Sequence, residues 1–201
     1  MSIKYILYNP LSGNGKGEEL SKKLTDIYKD EELKYCNMTQ ITSYGKFFDS
    51  ISPKSDIIIC GGDGTLNRFI NDSDGYPYEN PLYFYATGSG NDFMRDLGKE
   101  PGCKPISINE YVRELPIVTV NGKSSRFINA VGYGIDGYCC EVGDELRTKS
   151  DKPINYTSIA IKGLLFRFRP ANAVITVDGK EYSYKKVCLR RQCTADFTAA
   201  V

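Results

Sequence analysis

A chain of 201 residues with 41% hydrophobic content can bury a sizeable core, either as one large domain or as two small ones. Its 26 basic and 25 acidic residues are spread along the chain for a formal charge of +1, which leaves no electrostatic footprint for nucleic acid and excludes it as the expected partner. Histidine is absent, so a general base must be a carboxylate, a lysine, a tyrosine or bound water.

The first residues, 3–8, read as a strand, and the apolar stretch there is too short for a signal peptide. No run of roughly eighteen apolar residues follows anywhere, so the chain is expected neither to enter nor to span a membrane. Leu20, Leu24 and Ile27 recur at helical spacing and predict a helix over 17–29. Strands are expected at 33–38, 56–60 and 82–86, with helices at 44–50, at 66–71 and from Asp92 through Leu97. Short apolar runs alternating with amphipathic helices are the pattern of a sheet wound by crossover connections.

From about Leu115 the pattern changes to strands at 117–120, 127–131, 173–177 and 182–189. Asn121-Gly122 and Asp178-Gly179 lie between such runs as hairpin signals. The fold class expected is therefore α/β, with a wound, mostly parallel sheet over 1–112 and a β-rich domain over 113–201, the boundary lying near Val112. A helix at 154–168 mixes apolar residues with Lys162, Arg167 and Arg169. It either packs on its own sheet or lies on a lipid surface as a basic amphipathic segment. The seven cysteines, Cys36, Cys60, Cys103, Cys139, Cys140, Cys188 and Cys193, form an odd set without a CxxC pair and read as buried thiols of a reducing cytosol.

Three of the early strands end in glycine turns. The sharpest is Gly61-Gly62-Asp63-Gly64-Thr65, where glycines let backbone N–H groups aim at one anion while an acid sits among them. A carboxylate in a phosphate cradle points to chemistry or metal contact more than to simple anion capture. The first turn runs from Asn9 through Pro10, Ser12, Gly13, Gly15 and Lys16 to Gly17. It is not a Walker A loop, yet it offers backbone donors, the Ser12 hydroxyl and the Lys16 cation at a helix start. The third, Thr87-Gly88-Ser89-Gly90-Asn91-Asp92, adds Ser89 and Asn91 as hydrogen-bonding groups for a ribose or phosphate oxygen, with Asp92 read as the N-cap of the next helix. Asn67 stands between a ligand contact and a solvated helix face. Ligands in open wound sheets bind beyond the carboxyl ends of the strands, so the three turns are expected to form one composite site.

Taken in order, the Asn-Pro glycine loop, GGDGT and GSGND resemble the diacylglycerol kinase catalytic-domain family, which includes bacterial lipid kinases and sphingosine kinases. Phe127-Ile128-Asn129, Gly132 to Asp136 and the 174–182 hairpin extend the resemblance to about 3–189. It implies a nucleotide-binding α/β domain joined to a β-sandwich, and transfer of the γ-phosphoryl group of ATP, with Mg²⁺, to a membrane lipid hydroxyl, diacylglycerol-like or sphingoid-like. It also implies a cytoplasmic protein, peripheral at the inner membrane face, serving phospholipid biosynthesis. The family's nucleotide contacts fall on Asn9, Ser12, Gly13, Gly15, Gly62, Asp63, Gly64, Thr65, Gly88, Ser89 and Asn91. Asp136 matches an acid on the lipid side, the alternative being an acid that bonds turn amides. With no histidine, Asp63 is the candidate base or magnesium-network acid. A small-molecule kinase similar to NAD kinase, and a non-catalytic nucleotide-binding remnant, are the competing readings.

The segment from Arg190 to Val201 fits neither a strand nor the N-G-x-Y-x-G-G-G pattern expected of the family. Read two nucleotides later, with guanine in the wobble positions, the same stretch gives a run close to that pattern. The expectation is a frameshift near Leu189 that leaves the sandwich incomplete, which argues against activity in this form.

Overall fold

The computed structural model describes residues 3–88, 90–102, 104–149 and 154–193. Strands β1 (Lys4–Tyr8), β2 (Leu33–Asn37), β3 (Asp56–Gly61) and β4 (Leu82–Ala86) are parallel, and β5 (Ile106–Ser107) joins β4 antiparallel at the edge. The sheet order is β2-β1-β3-β4-β5. Leu7, Ile59 and Phe84 stand side by side across β1, β3 and β4.

Both faces of this sheet are covered, which is why Ile57-Ile58-Ile59-Cys60 reads as an unbroken apolar run. Side chains alternate between two cores with the period of the strand. Leu7, Ile57, Ile59, Leu82 and Phe84 pack with Tyr44 and Phe48 of α3 (Tyr44–Asp49), Leu66 and Phe69 of α4 (Asp63–Asp72), and Phe93 and Met94 of α5 (Asp92–Asp96). Ile6, Ile58, Cys60 and Tyr85 face the other way, against Leu24 and Ile27. The helix expected over 17–29 is two pieces, α1 (Gly17–Ser21) and α2 (Leu24–Ile27). Where the two pieces meet, the N–H groups of Lys23, Thr25 and Asp26 bond back three residues instead of four, which tightens the turn and breaks the helix.

At the amino-terminal edge of the sheet, the buried ammonium of Lys4 is paired with Asp56 and lies 2.9 Å from Glu31, above the Tyr28 ring. Burial works against its charge, but the hydrogen bonds it donates to Asp56 and Glu31, with their negative charges, outweigh it and hold its pKa above the usual lysine value.

Packing divides the chain into two compact units, one through Asn129 and one from Ala130 to Cys193. The first unit therefore runs past Val112 and takes in α6 (Asn109–Arg113) and the hairpin of β6 (Ile117–Val120) and β7 (Lys123–Arg126). The reason lies in Asn71 of α4, whose Oδ1 accepts the Arg126 N–H at 2.8 Å and whose Nδ2 donates to the Arg126 carbonyl at 3.0 Å. Phe127 and Ile128, expected in a strand, are buried instead, Ile128 in the first core.

In the second unit, β8 (Ala130–Gly134) pairs antiparallel with β11 (Leu189–Cys193), so residues 190–193 do form a strand, contrary to expectation; residues 194–201 lie outside the described residues. β9 (Ala171–Val177) and β10 (Lys180–Val187) make a hairpin through Asp178 and Gly179, both at positive φ, as Asn121 and Gly122 are in the other hairpin. Two helices accompany these strands: α7 (Ile135–Lys149), which the sequence reading missed, and α8 (Tyr156–Lys162), which runs on into a π turn at Gly163–Arg167. Of the cysteine side chains described, Cys60 is buried, Cys36 and Cys139 are half-buried, and Cys140 and Cys188 are exposed, all five as free thiols. The expectation of uniformly buried thiols does not hold.

Candidate functional site

Strands β1, β3 and β4 are neighbours, so the turns that follow them are brought to one edge of the sheet. β1 leads to β2 on one side and β3 lies on the other, which makes the β1/β3 border the switch point of the sheet. The first two turns flank that border and the third adjoins it.

The first turn is held by its asparagine. Asn9 accepts the Leu11 N–H on Oδ1 at 3.0 Å and donates from Nδ2 to the buried Thr65 hydroxyl at 3.1 Å, which ties the first turn to the second. Ser12 donates its hydroxyl hydrogen to the Asn9 carbonyl at 2.8 Å. Gly13, Asn14 and Gly15 then all take positive φ, a left-handed run whose N–H groups can converge on an anion. Lys16 is exposed beyond it. Gly17 must lack a side chain, since a Cβ there would collide with the Asn9 carbonyl.

The second and third turns touch through their backbones. Thr87 donates its N–H to the Gly61 carbonyl at 2.8 Å, and a Cβ placed on Gly62 would lie 3.1 Å from the Gly88 Cα. Gly62 is extended and Asp63 opens α4. The Asp63 carboxylate turns toward the third turn: Oδ2 accepts the Asp92 N–H at 2.9 Å and Oδ1 the Phe93 N–H at 3.1 Å. The cap of α5 thus comes from Asp63. Asp92, expected as that cap, is the first helical residue and pairs with Arg95 at 3.0 Å. The N-cap position is taken by Asn91, so Asp92 lies one residue inside the helix, past the place from which a side chain caps it. Gly64 faces open space, with nothing within 4 Å of an added Cβ.

Asn91 is 4% exposed at positive φ, its Nδ2 donating to the Gly88 carbonyl at 2.7 Å. Its Oδ1, the Asn67 Oδ1 and the Thr87 hydroxyl are buried without a hydrogen-bond partner among the described residues. Such groups are costly to leave unpaired and mark places where a polar ligand or water belongs. Ser89 lies outside the described residues. Asp136 belongs to the second unit, in the first turn of α7, where its carboxylate presses against Gly132. Sequence reasoning missed Thr87 and the reach of Asp63 to Asp92 and Phe93. Thr87 was visible as the residue before Gly88, whereas the Asp63 contact joins residues 29 and 30 positions apart.

For a divalent cation the described residues offer no cluster of three acidic or thiol side chains. Asp63 is the one carboxylate among the three turns with both oxygens at their junction. A magnesium ion would accordingly rest on ligand phosphates and water, as that ion ordinarily does.

Residues 4–120, more than half of the chain, match the diacylglycerol kinase catalytic domain. A diacylglycerol kinase of Bacillus subtilis (strain 168) is 30% identical over 188 residues, covering 87% of this chain and 59% of that protein. A solved diacylglycerol kinase structure from Bacillus anthracis (str. Sterne) superposes with a TM-score of 0.55 at 20% identity, covering 98% of this chain and 65% of its own. A second solved chain from that organism gives a TM-score of 0.61 at 18% identity and covers 98% and 66%. The solved structures share the fold. The chain spans about three fifths of the length of the Bacillus subtilis relative. With its glycine turns seated at the carboxyl ends of β1, β3 and β4, the chain belongs to the diacylglycerol kinase catalytic-domain family.

Proposed function

We propose that the three turns bind the phosphates of ATP, and that the protein passes the γ-phosphoryl group to the hydroxyl of a membrane lipid. The observation that carries this reading is the junction itself: three glycine turns interlocked at the switch point of a parallel sheet, with a left-handed run at Gly13 to Gly15 and three buried polar atoms lacking partners among the described residues. Phosphoryl transfer asks little covalent chemistry of a protein and depends on positioning and charge stabilisation. Mg²⁺, bound to the phosphates, would supply charge neutralisation. Asn9 and Thr65 hold the first turn against the second, so the N–H groups of residues 13–15 keep their aim. Asp63 holds the third turn and retains lone pairs for hydrogen bonds to metal-bound water or to the acceptor hydroxyl. Lys16 is the cation nearest the left-handed run in sequence.

A lipid acceptor is supported by the second unit, where α7 and α8 border a groove of about 720 Å³ lined by Tyr138, Val142, Leu146, Ile159 and Phe166. Asp136, on the same helix as Tyr138, is the acid proposed for the lipid side. The free thiols fit a reducing compartment, and no helix among the described residues is long and apolar enough to cross a membrane. Calorimetry with ATP and Mg²⁺, together with transfer of labelled phosphate to diacylglycerol, tests the reading. Binding with transfer supports it; binding without transfer assigns the chain a nucleotide-binding role alone; transfer to NAD in place of lipid overturns the acceptor.

A further inference from the structure

The loop over 73–81 leads from α4 to the amino-terminal end of β4, and with α6 and the end of β7 it borders a pocket of about 240 Å³. The third glycine turn lies at the opposite end of β4, about 13 Å away along the strand. The pocket is therefore separate from the phosphate cradle. Its walls are fixed by the fold. Asn109 accepts the Leu82 N–H on Oδ1 at 2.8 Å and donates from Nδ2 to the Asn80 carbonyl at 3.2 Å, which ties α6 to both ends of the loop-to-strand junction. The Tyr78 ring stacks on Phe48 with centroids 4.5 Å apart, and the Tyr76 ring fills the space beside Gly45. Small-molecule sites are ordinarily preformed in this way.

Charges of both signs line the pocket: Arg113 and Arg126 against Asp74 and Glu79. One pair is already made, since the Arg126 Nε donates to Asp74 at 3.1 Å while Asn71 holds the Arg126 backbone. Arg113 and Glu79 have no ion-pair or hydrogen-bond partner among the described residues. A lone anion entering here would meet two carboxylates, and a lone cation two guanidiniums. A ligand with one charge of each sign meets an opposite charge at both ends. We propose that this pocket binds a small zwitterion of the α-amino acid class. Its carboxylate lies on the planar Arg113 fork, its ammonium on Glu79 near the carbonyl end of α4, and an aromatic side chain against Tyr76 and Tyr78. The volume has room for about eight water molecules, which suits a ligand of that size. This site goes beyond the nucleotide and lipid reading and shares no residue with it.

Titration of the isotopically labelled full chain with L-phenylalanine, 3-phenylpropionate and 2-phenylethylamine, without ATP or Mg²⁺, provides the test, because the last two compounds each lack one of the charges. L-Phenylalanine should give saturable amide shifts centred on residues 73–79, 109–113 and 126, and each single-charge compound should bind at least about tenfold more weakly. Arg113→Gln and Glu79→Gln alter exposed side chains, so each should leave the melting curve unchanged while weakening L-phenylalanine about tenfold. Arg113→Gln should also erase the preference over 2-phenylethylamine, and Glu79→Gln the preference over 3-phenylpropionate. No saturable binding of L-phenylalanine, equal affinity for the three compounds, or a preference that survives its variant overturns the proposal. So does tighter binding of inorganic phosphate at these amides, which would make the pocket an anion site. Failure to bind ATP would strike the nucleotide reading and leave these outcomes as they stand.

Discussion

Asp63 and Phe93 are joined across two turns: the Asp63 Oδ1 accepts the Phe93 N–H at 3.1 Å, while its other oxygen holds the Asp92 N–H at 2.9 Å. A charged acceptor placed on the first amides of a short helix both caps the helix and fixes the loop before it. In this arrangement the acid of the glycine motif is a clamp on the neighbouring turn, whatever chemistry it also serves.

Asp63→Ala should therefore cost about 1–2 kcal/mol of stability, the usual worth of a lost cap. It should also raise amide hydrogen exchange at Asp92 and Phe93. Asp63→Asn keeps one carbonyl acceptor and should cost less. Nucleotide affinity should fall in both variants even without Mg²⁺ if the clamp shapes the cradle. A loss seen only with Mg²⁺ would assign Asp63 to the metal alone.

Gly88→Ala and Gly64→Ala should separate in opposite directions. A Cβ on Gly88 would overlap the Gly62 Cα, so the two turns must part, at about 3 kcal/mol by urea unfolding. Gly64 is helical and faces open space, and alanine there should stabilise the fold by about 0.5–1 kcal/mol. The same methyl would stand in the proposed phosphate cradle, so ATP affinity should fall while the melting temperature rises.

Lys4→Met should cost about 3 kcal/mol, since it leaves the Asp56 carboxylate without its buried partner. The pKa of Lys4 is raised in the folded state, so its contribution is complete below the ordinary lysine value of 10.5 and is lost as pH climbs through the folded value. The wild-type protein should lose stability in that alkaline window more steeply than Lys4→Met, as urea titrations at stepped pH would read.

Asn71→Ala should release the hairpin at 117–126 from α4. It leaves the Arg126 N–H and carbonyl without their side-chain partner, at about 2 kcal/mol, and raised exchange at Arg126 should accompany the loss.

The parallel sheet was legible in the sequence because both of its faces are buried, which makes strands such as 56–61 apolar throughout. The meeting of the three turns followed from the order of the strands and the rule that ligands bind at their carboxyl ends. α7 was missed although Ile135, Tyr138, Val142 and Leu146 carry helical spacing, because Gly137, Gly143 and a dense charge pattern mask it. Gly143 is there to admit the Tyr156 ring, a packing reason that no local pattern displays. β11 was missed because Arg190-Arg191-Gln192 has no apolar alternation; its pairing with β8 supplies what its composition lacks. The boundary near Val112 followed the change in composition, whereas packing follows the Asn71 bonds to Arg126.

The central claim is that the three glycine turns together hold the phosphates of ATP. Titration of the isotopically labelled protein with ATP, followed through its amide resonances, tests this most directly. The account predicts saturable shifts concentrated at Gly13 to Lys16, Gly62 to Thr65 and Gly88 to Asn91, weakened by Gly64→Ala. Saturable binding that leaves those three groups of amides unmoved, or no binding by the folded protein, would contradict it.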